Sequence, residues 1–129
     1  MTPETTVFLL TLVLAVIHFM IGAITYALQV GFATALGSRD NLPERKNLLG
    51  IRGERANHNF KETLPWAIGL LLLVQVIGVA NAMTALGAWM YFLGRFLYLP
   101  LYLFGVPVVR SLAYGLAFIG LGVMASQLL

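Results

Sequence analysis

From about Thr5 to Leu36 the chain runs apolar, and no aspartate, glutamate, lysine or arginine interrupts it. The run is longer than the roughly 20 residues a bilayer requires, so it predicts a helix that tilts or projects beyond the headgroups. Further runs exceed the roughly 18 uncharged residues that mark a membrane helix. A soluble domain of 129 residues needs a polar face over its core, yet 60% of this chain is hydrophobic and only 10% is charged. Ordinary soluble domains carry roughly a quarter charged residues. The bilayer must supply the missing cover, and the chain reads as one membrane domain.

Punctuation along the sequence divides that domain into helices. Thr2 and Pro3 are start signals, and no small-residue cleavage pattern follows the first apolar run, so an uncleaved first membrane helix over about 5–36 is expected. Gly37 ends it. Residues 37–51, with Pro43, Gly50 and mixed charges, have the composition of a polar loop. A second helix is expected over about 52–79, its apolar part after Pro65, and a short uncharged link at 80–85 leads to a third over about 86–104. Gly105 and Pro107 mark a tight turn before a fourth at about 108–128. The expected fold is an all-α integral membrane protein, a four-transmembrane-helix bundle forming a single domain over 1–129.

The basic residues orient that bundle. Arg39, Arg45, Lys46, Arg52, Arg55 and Lys61 lie in or beside the first loop, and Arg95 and Arg110 flank the third. All fall on one side, so the net charge of +3 is a topology signal: both termini are expected outside and the first and third loops in the cytoplasm. For a bacterial chain this means the inner membrane with periplasmic termini. A nucleic-acid partner is not expected. Cysteine is absent, which excludes disulfides, thiolate metal ligands and any cysteine nucleophile of the protein's own. No metal is expected, and thiol chemistry here requires a borrowed thiol.

The densest polar cluster, IRGERANHNFKETLP at 51–65, opens a helix that hydrocarbon should reject. Arg52, Arg55, Asn59 and Glu62 are spaced three, four and three apart and share one face. Arg95, Tyr98 and Tyr102 repeat this logic on the third helix, and Arg110 and Tyr114 on the fourth, with Ser111 beside Arg110. A charge at membrane depth costs roughly 2.5–3.5 kcal/mol on insertion scales, so such stripes turn toward a partner or a wet cavity. Single arginines here can instead snorkel to headgroups, and Arg55 with Glu62 can form a packing pair. Trp66, Trp89 and Tyr91 read as interface-belt residues. His18 is assigned to packing and His58 to a solvated loop edge. Three matched stripes are more than anchoring requires.

Several guanidinium groups favour carboxylates and one carboxylate favours an ammonium, so the expected ligand is anionic and zwitterionic. An arginine with a hydroxyl beside it stabilises a bound thiolate, as neighbouring cations do for cysteine. An opening between helices admits an apolar electrophile from the membrane.

The segment RGERANHNFKETLP, 52–65, fits the pattern RxxRAxxNxxExxP of the membrane-associated proteins in eicosanoid and glutathione metabolism, the MAPEG family. The segment GRFLYLPLYLFGVPVVRSLAY, 94–114, resembles that family's second block. The resemblance covers the whole chain. It implies a four-helix subunit assembling as a homotrimer, with glutathione bound as cosubstrate at each subunit interface near the cytoplasmic face. By it, Arg55, Asn59 and Glu62 hold the tripeptide's polar ends and Arg95, Tyr98 and Tyr102 close over it from the neighbouring subunit. Asn57 and His58 stand where relatives carry lesser polar contacts. Arg110 would stabilise the thiolate, with Ser111 matching a serine of prostaglandin E synthase. The implied activity is a glutathione transferase or peroxidase acting on apolar small-molecule electrophiles or hydroperoxides. The alternative is a non-catalytic MAPEG-like protein that binds lipid or a protein partner.

Overall fold

The computed structural model describes residues 1–129 except Arg39, Leu42, Pro43, Arg45 and Lys46. The loop cations Arg39, Arg45 and Lys46 of the charge-bias reading thus lie outside the described residues. Of the described residues 85% are helical, and none is in a strand. In order, the elements are α1 (Pro3–Val30), α2 (Phe32–Leu36), α3 (Leu48–Ile77), α4 (Ala82–Leu103) and α5 (Pro107–Ser126). Among the described residues, α1, α3 and α5 are long and apolar enough to cross a membrane.

Five helices stand where four were expected because Gly31 breaks the first. Its φ of 88° and ψ of 147° suit glycine and strain any residue with a Cβ. Its N–H closes α1 on the Ala27 carbonyl at 2.9 Å, and its own carbonyl opens α2 by accepting from Ala35 at 3.0 Å. The apolar pattern continues across the break, so hydropathy alone does not reveal it.

Capping sets the other boundaries. Thr2 caps α1 with Pro3 in its first turn. The Asn47 side chain accepts from the Leu49 N–H at 3.0 Å, so α3 begins at Leu48, before the expected Arg52. Asn81 and Thr84 form a reciprocal capping box that starts α4 at Ala82 instead of about 86. Gly78 ends α3 in the left-handed region.

Small residues bring α4 and α5 together in the closest helix pairing of the bundle. A Cβ on Gly87 would lie 2.7 Å from the Gly120 carbonyl oxygen, and one on Gly94 would lie 2.6 Å from that of Ala113. Backbones this close gain dispersion contacts, the main attraction available between helices when lipid is as apolar as the core. Around this seam Val7, Ala67, Leu71, Ala88, Tyr91, Ala117, Leu121 and Met124 form the core. Tyr91 is fully buried here, with its hydroxyl 3.5 Å from that of Thr63, so it is a core residue and not the interface-belt residue expected. Trp66 is exposed on the outer surface.

The inward face of α1 carries polar groups and its outward face does not. Glu4, Val7, Thr11, Leu14 and His18 are buried at helical spacing, while Leu12, Val13, Val16 and Phe19 point outward. This inverts the soluble pattern, as a lipid-facing surface requires. Glu4 is reached by the Thr84 hydroxyl, which donates to its Oε1 at 2.6 Å, and the carboxylate sits near the positive N-terminal end of α4. At the same end the Gln75 amide donates to Thr2 Oγ at 2.7 Å. Thr84→Val would leave the buried carboxylate without that donor, at a cost of about 1–3 kcal/mol. Thermal unfolding in detergent should show the drop, while Thr34→Val on the exposed α2 should shift stability by less than about 0.5 kcal/mol.

Candidate functional site

The middle of the polar stripe of α3 meets α4 at the Arg95 guanidinium. Arg95, 1% exposed, donates from one terminal nitrogen to Asn59 Oδ1 at 2.7 Å and from the other to the Thr63 hydroxyl. The same guanidinium lies over two rings, 4.8 Å from the Tyr114 centroid on α5 and 5.4 Å from that of Tyr98. One buried cation thus holds an amide, a hydroxyl and two aromatic faces from three helices. Its planar fork suits this role in a way that an ammonium's single point charge does not.

Toward the helix ends the site opens. Arg110 in the first turn of α5 is half-buried, with its guanidinium 4.5 Å from the Tyr102 centroid on α4. Tyr102 contacts Tyr98 at 5.5 Å, Tyr98 contacts Tyr114 at 6.2 Å, and Tyr114 stacks toward Phe118 at 6.3 Å. Phe118 then meets Trp66 edge-on at 6.3 Å. There an apolar groove of about 580 Å³ begins between α3 and α5, lined by Trp66, Leu70, Phe118, Ile119 and Gly122 among others. A row of rings therefore runs from the half-buried cation Arg110 to an apolar groove on the outer surface.

The turn that places Arg110 is held from α3. Arg52 donates to the Leu103 carbonyl at 3.1 Å and packs against Gly105, where an added Cβ would lie 2.8 Å from the guanidinium. Gly105 also has φ of 72°, so the α4–α5 turn depends on glycine for both space and conformation. Arg52 thus fastens the turn.

Of the residues expected to form the site, Asn59, Arg95 and Tyr98 come together inside the bundle, with Tyr102 and Arg110 next to them. Arg55 and Glu62 are exposed on α3, offering a cation and an anion on one helix. His58 is exposed and its Nδ1 lies 3.6 Å from Glu62, while Asn57 is half-buried. Ser111 is exposed and its hydroxyl donates to the Pro107 carbonyl at 3.0 Å, within its own helix. Thr63 was not singled out by sequence, although it lies four residues after Asn59 and so on the same face. No group of three or more His, Asp or Glu among the described residues could hold a metal ion.

The family model that matches the chain is that of the MAPEG family, over residues 7–129. No curated protein and no solved structure matches it.

Proposed function

The chain belongs to the MAPEG family, and on that premise we propose that it is a glutathione-dependent membrane enzyme that turns the thiolate on apolar electrophiles or hydroperoxides. With its apolar helices, family membership makes it an integral membrane protein of the glutathione and eicosanoid metabolism family. The observation that carries the reading is the pairing of Arg95 with Asn59 beside a half-exposed Arg110. A half-buried amide hydrogen-bonded to a buried guanidinium, with a second guanidinium two rings away, suits a polar, anionic ligand and has no use in contact with lipid.

In this reading Arg55 takes a carboxylate of glutathione and Glu62 its ammonium. Asn59 hydrogen-bonds the peptide, and Tyr98 and Tyr102 flank it. Asn57 and His58 add outer polar contacts. Arg110 stabilises the thiolate, with the Ser111 hydroxyl next to it as a second donor once turned from Pro107. In a transfer, sulfur bonds to the electrophilic carbon, the leaving group departs with its electron pair, and the thiol proton passes to solvent. With a hydroperoxide, two glutathiones give the disulfide, the alcohol and water. The groove at Trp66 and Phe118 is the route for an apolar acceptor. The working unit is a homotrimer with α4 as the fourth membrane crossing, the sites completed at subunit interfaces, and the site end of the bundle in the cytoplasm.

Binding is checked by thermal unfolding of the detergent-solubilised protein with glutathione. A ligand at a hundred times its dissociation constant stabilises by about 2.7 kcal/mol, so a clear rise in Tm is expected. An unchanged Tm at saturating concentrations would favour a member that binds lipid or a protein partner instead.

A further inference from the structure

His18 is an imidazole buried in the apolar helix α1, and the functional reading above makes no use of it. Its Nδ1 lies 2.9 Å from the Leu14 carbonyl. A carbonyl only accepts, so Nδ1 carries a proton, and in the neutral ring Nε2 is then a bare lone pair. That Nε2 is buried and finds no hydrogen-bond partner in the protein. Only one edge of the ring is satisfied, and a buried acceptor left alone is costly.

The ring cannot turn away. It stacks on Phe60 with centroids 4.2 Å apart and planes 15° apart. Phe60 follows Asn59 directly and precedes Thr63 by three residues, so His18 and Arg95 both contact the same turn of α3. Arg95 Nε is also buried without a partner in the protein. It is a donor, and His18 Nε2 is an acceptor. The two unused atoms have opposite roles at the junction of α1, α3 and α4.

We propose that His18 is a positioning residue for the candidate site: its Nε2 accepts from Arg95 Nε–H through a shared internal water, fixing the guanidinium that holds Asn59. Packing alone would be served by any planar ring on Phe60 and does not call for a bare nitrogen on that side. A buried donor and a buried acceptor, each without a partner in the protein and both on residues that contact one turn of α3, are the setting in which buried water is retained. This ties α1, otherwise a lipid-facing scaffold, to the site built by α3 and α4. Its consequence for ligand affinity rests on the glutathione reading; the contact itself does not.

Two variants separate the nitrogen from the ring. His18→Phe keeps the stack on Phe60 and removes the acceptor, while His18→Gln places an amide oxygen near the Nε2 position. The full-length protein in detergent is read in two ways: the Nε–H resonance of Arg95, assigned by its loss in Arg95→Lys, and the dissociation constant for glutathione. The wild type and His18→Gln are expected to show a protected, slowly exchanging Nε–H, and His18→Phe a shifted, fast-exchanging one with unchanged Tm. Glutathione affinity should fall about tenfold in His18→Phe and recover to within about threefold in His18→Gln. An Nε–H that is the same in wild type and His18→Phe overturns the proposal, as does equal loss of protection and stability in both variants. Absence of glutathione binding by the wild type would reject the functional reading, while the resonance would still decide the role of His18.

Discussion

Gly94→Val is expected to abolish the folded bundle. A Cβ at this position would lie 2.6 Å from the Ala113 carbonyl oxygen, 2.7 Å from the Ala117 N and 2.9 Å from the Ala117 Cβ. Two of these three are backbone atoms of α5, which cannot rotate aside as a flexible side chain would. The helices must separate, and the core seam of Tyr91, Ala117 and Leu121 opens with them. Overpacking usually costs about 1–3 kcal/mol where neighbours can yield, and valine inserts three carbons against backbone that cannot. The loss should exceed this range and consume much of the stability of a small domain. Size-exclusion profile and thermal unfolding of the purified protein in detergent check it. Gly69→Ala, Gly115→Ala and Gly122→Ala are the matched controls, since a Cβ at each meets nothing within 4 Å. Each should be neutral or stabilising by up to about 1 kcal/mol from helix propensity. Equal stability of Gly94→Val and these controls would mean that α4 and α5 do not meet along this seam.

The second large effect is expected from Arg95→Leu. Leucine is apolar and fits the membrane interior, so hydropathy alone forecasts a benign or stabilising change. The hydrogen bonds forecast the opposite. Half-buried Asn59 Oδ1 and the buried Thr63 hydroxyl both lose their guanidinium donor, at about 1–3 kcal/mol where a buried acceptor is left without a donor. The Tyr98 and Tyr114 rings lose the cation between them as well. Glutathione affinity is expected to fall about a hundredfold, corresponding to two lost hydrogen bonds at about 1.4 kcal/mol per tenfold. Arg95→Lys restores the charge without the fork and should lie between the two. Isothermal titration of glutathione, with thermal unfolding of the ligand-free protein alongside, separates loss of the site from loss of the fold. Wild-type affinity in Arg95→Leu would show that Asn59 needs no support from α4.

Much of the bundle was legible because membrane helices are written in long apolar runs and their ends in Asn, Pro and Gly. The α3 stripe was legible too, since spacings of three and four fix a shared face regardless of tertiary packing. Cross-helix pairing was not. Within α5, spacing joins Arg110 to Tyr114, yet in the fold Arg110 lies over Tyr102 and Tyr114 lies over Arg95. The close approach of α4 and α5 at glycine exchanges the partners, and no spacing within one helix encodes that. Thr63 was hidden for another reason: a threonine in an apolar helix ordinarily bonds back to its own carbonyls, and only the arrival of Arg95 gives it a second use. Tyr91 looked like an interface residue because amphipathic rings favour the headgroup level, but the Gly87 and Gly94 notches carry α4 deep enough to bury it. His18 read as packing, and its stack on Phe60 is packing. The unpartnered nitrogen became visible only with the hydrogen bonds in place.

The central claim is that Arg110 stabilises a glutathione thiolate at the end of the aromatic row, and the ultraviolet absorbance of the thiolate measures it most directly. Glutathione is titrated at neutral pH into the full-length protein in detergent, wild type and Arg110→Ala in parallel. The expected result is a saturable thiolate band in the wild type and none in Arg110→Ala, although that variant should still be stabilised by glutathione through Arg55, Asn59 and Glu62. A thiolate band of equal size in both proteins, or none in a wild type that glutathione stabilises, would contradict the account.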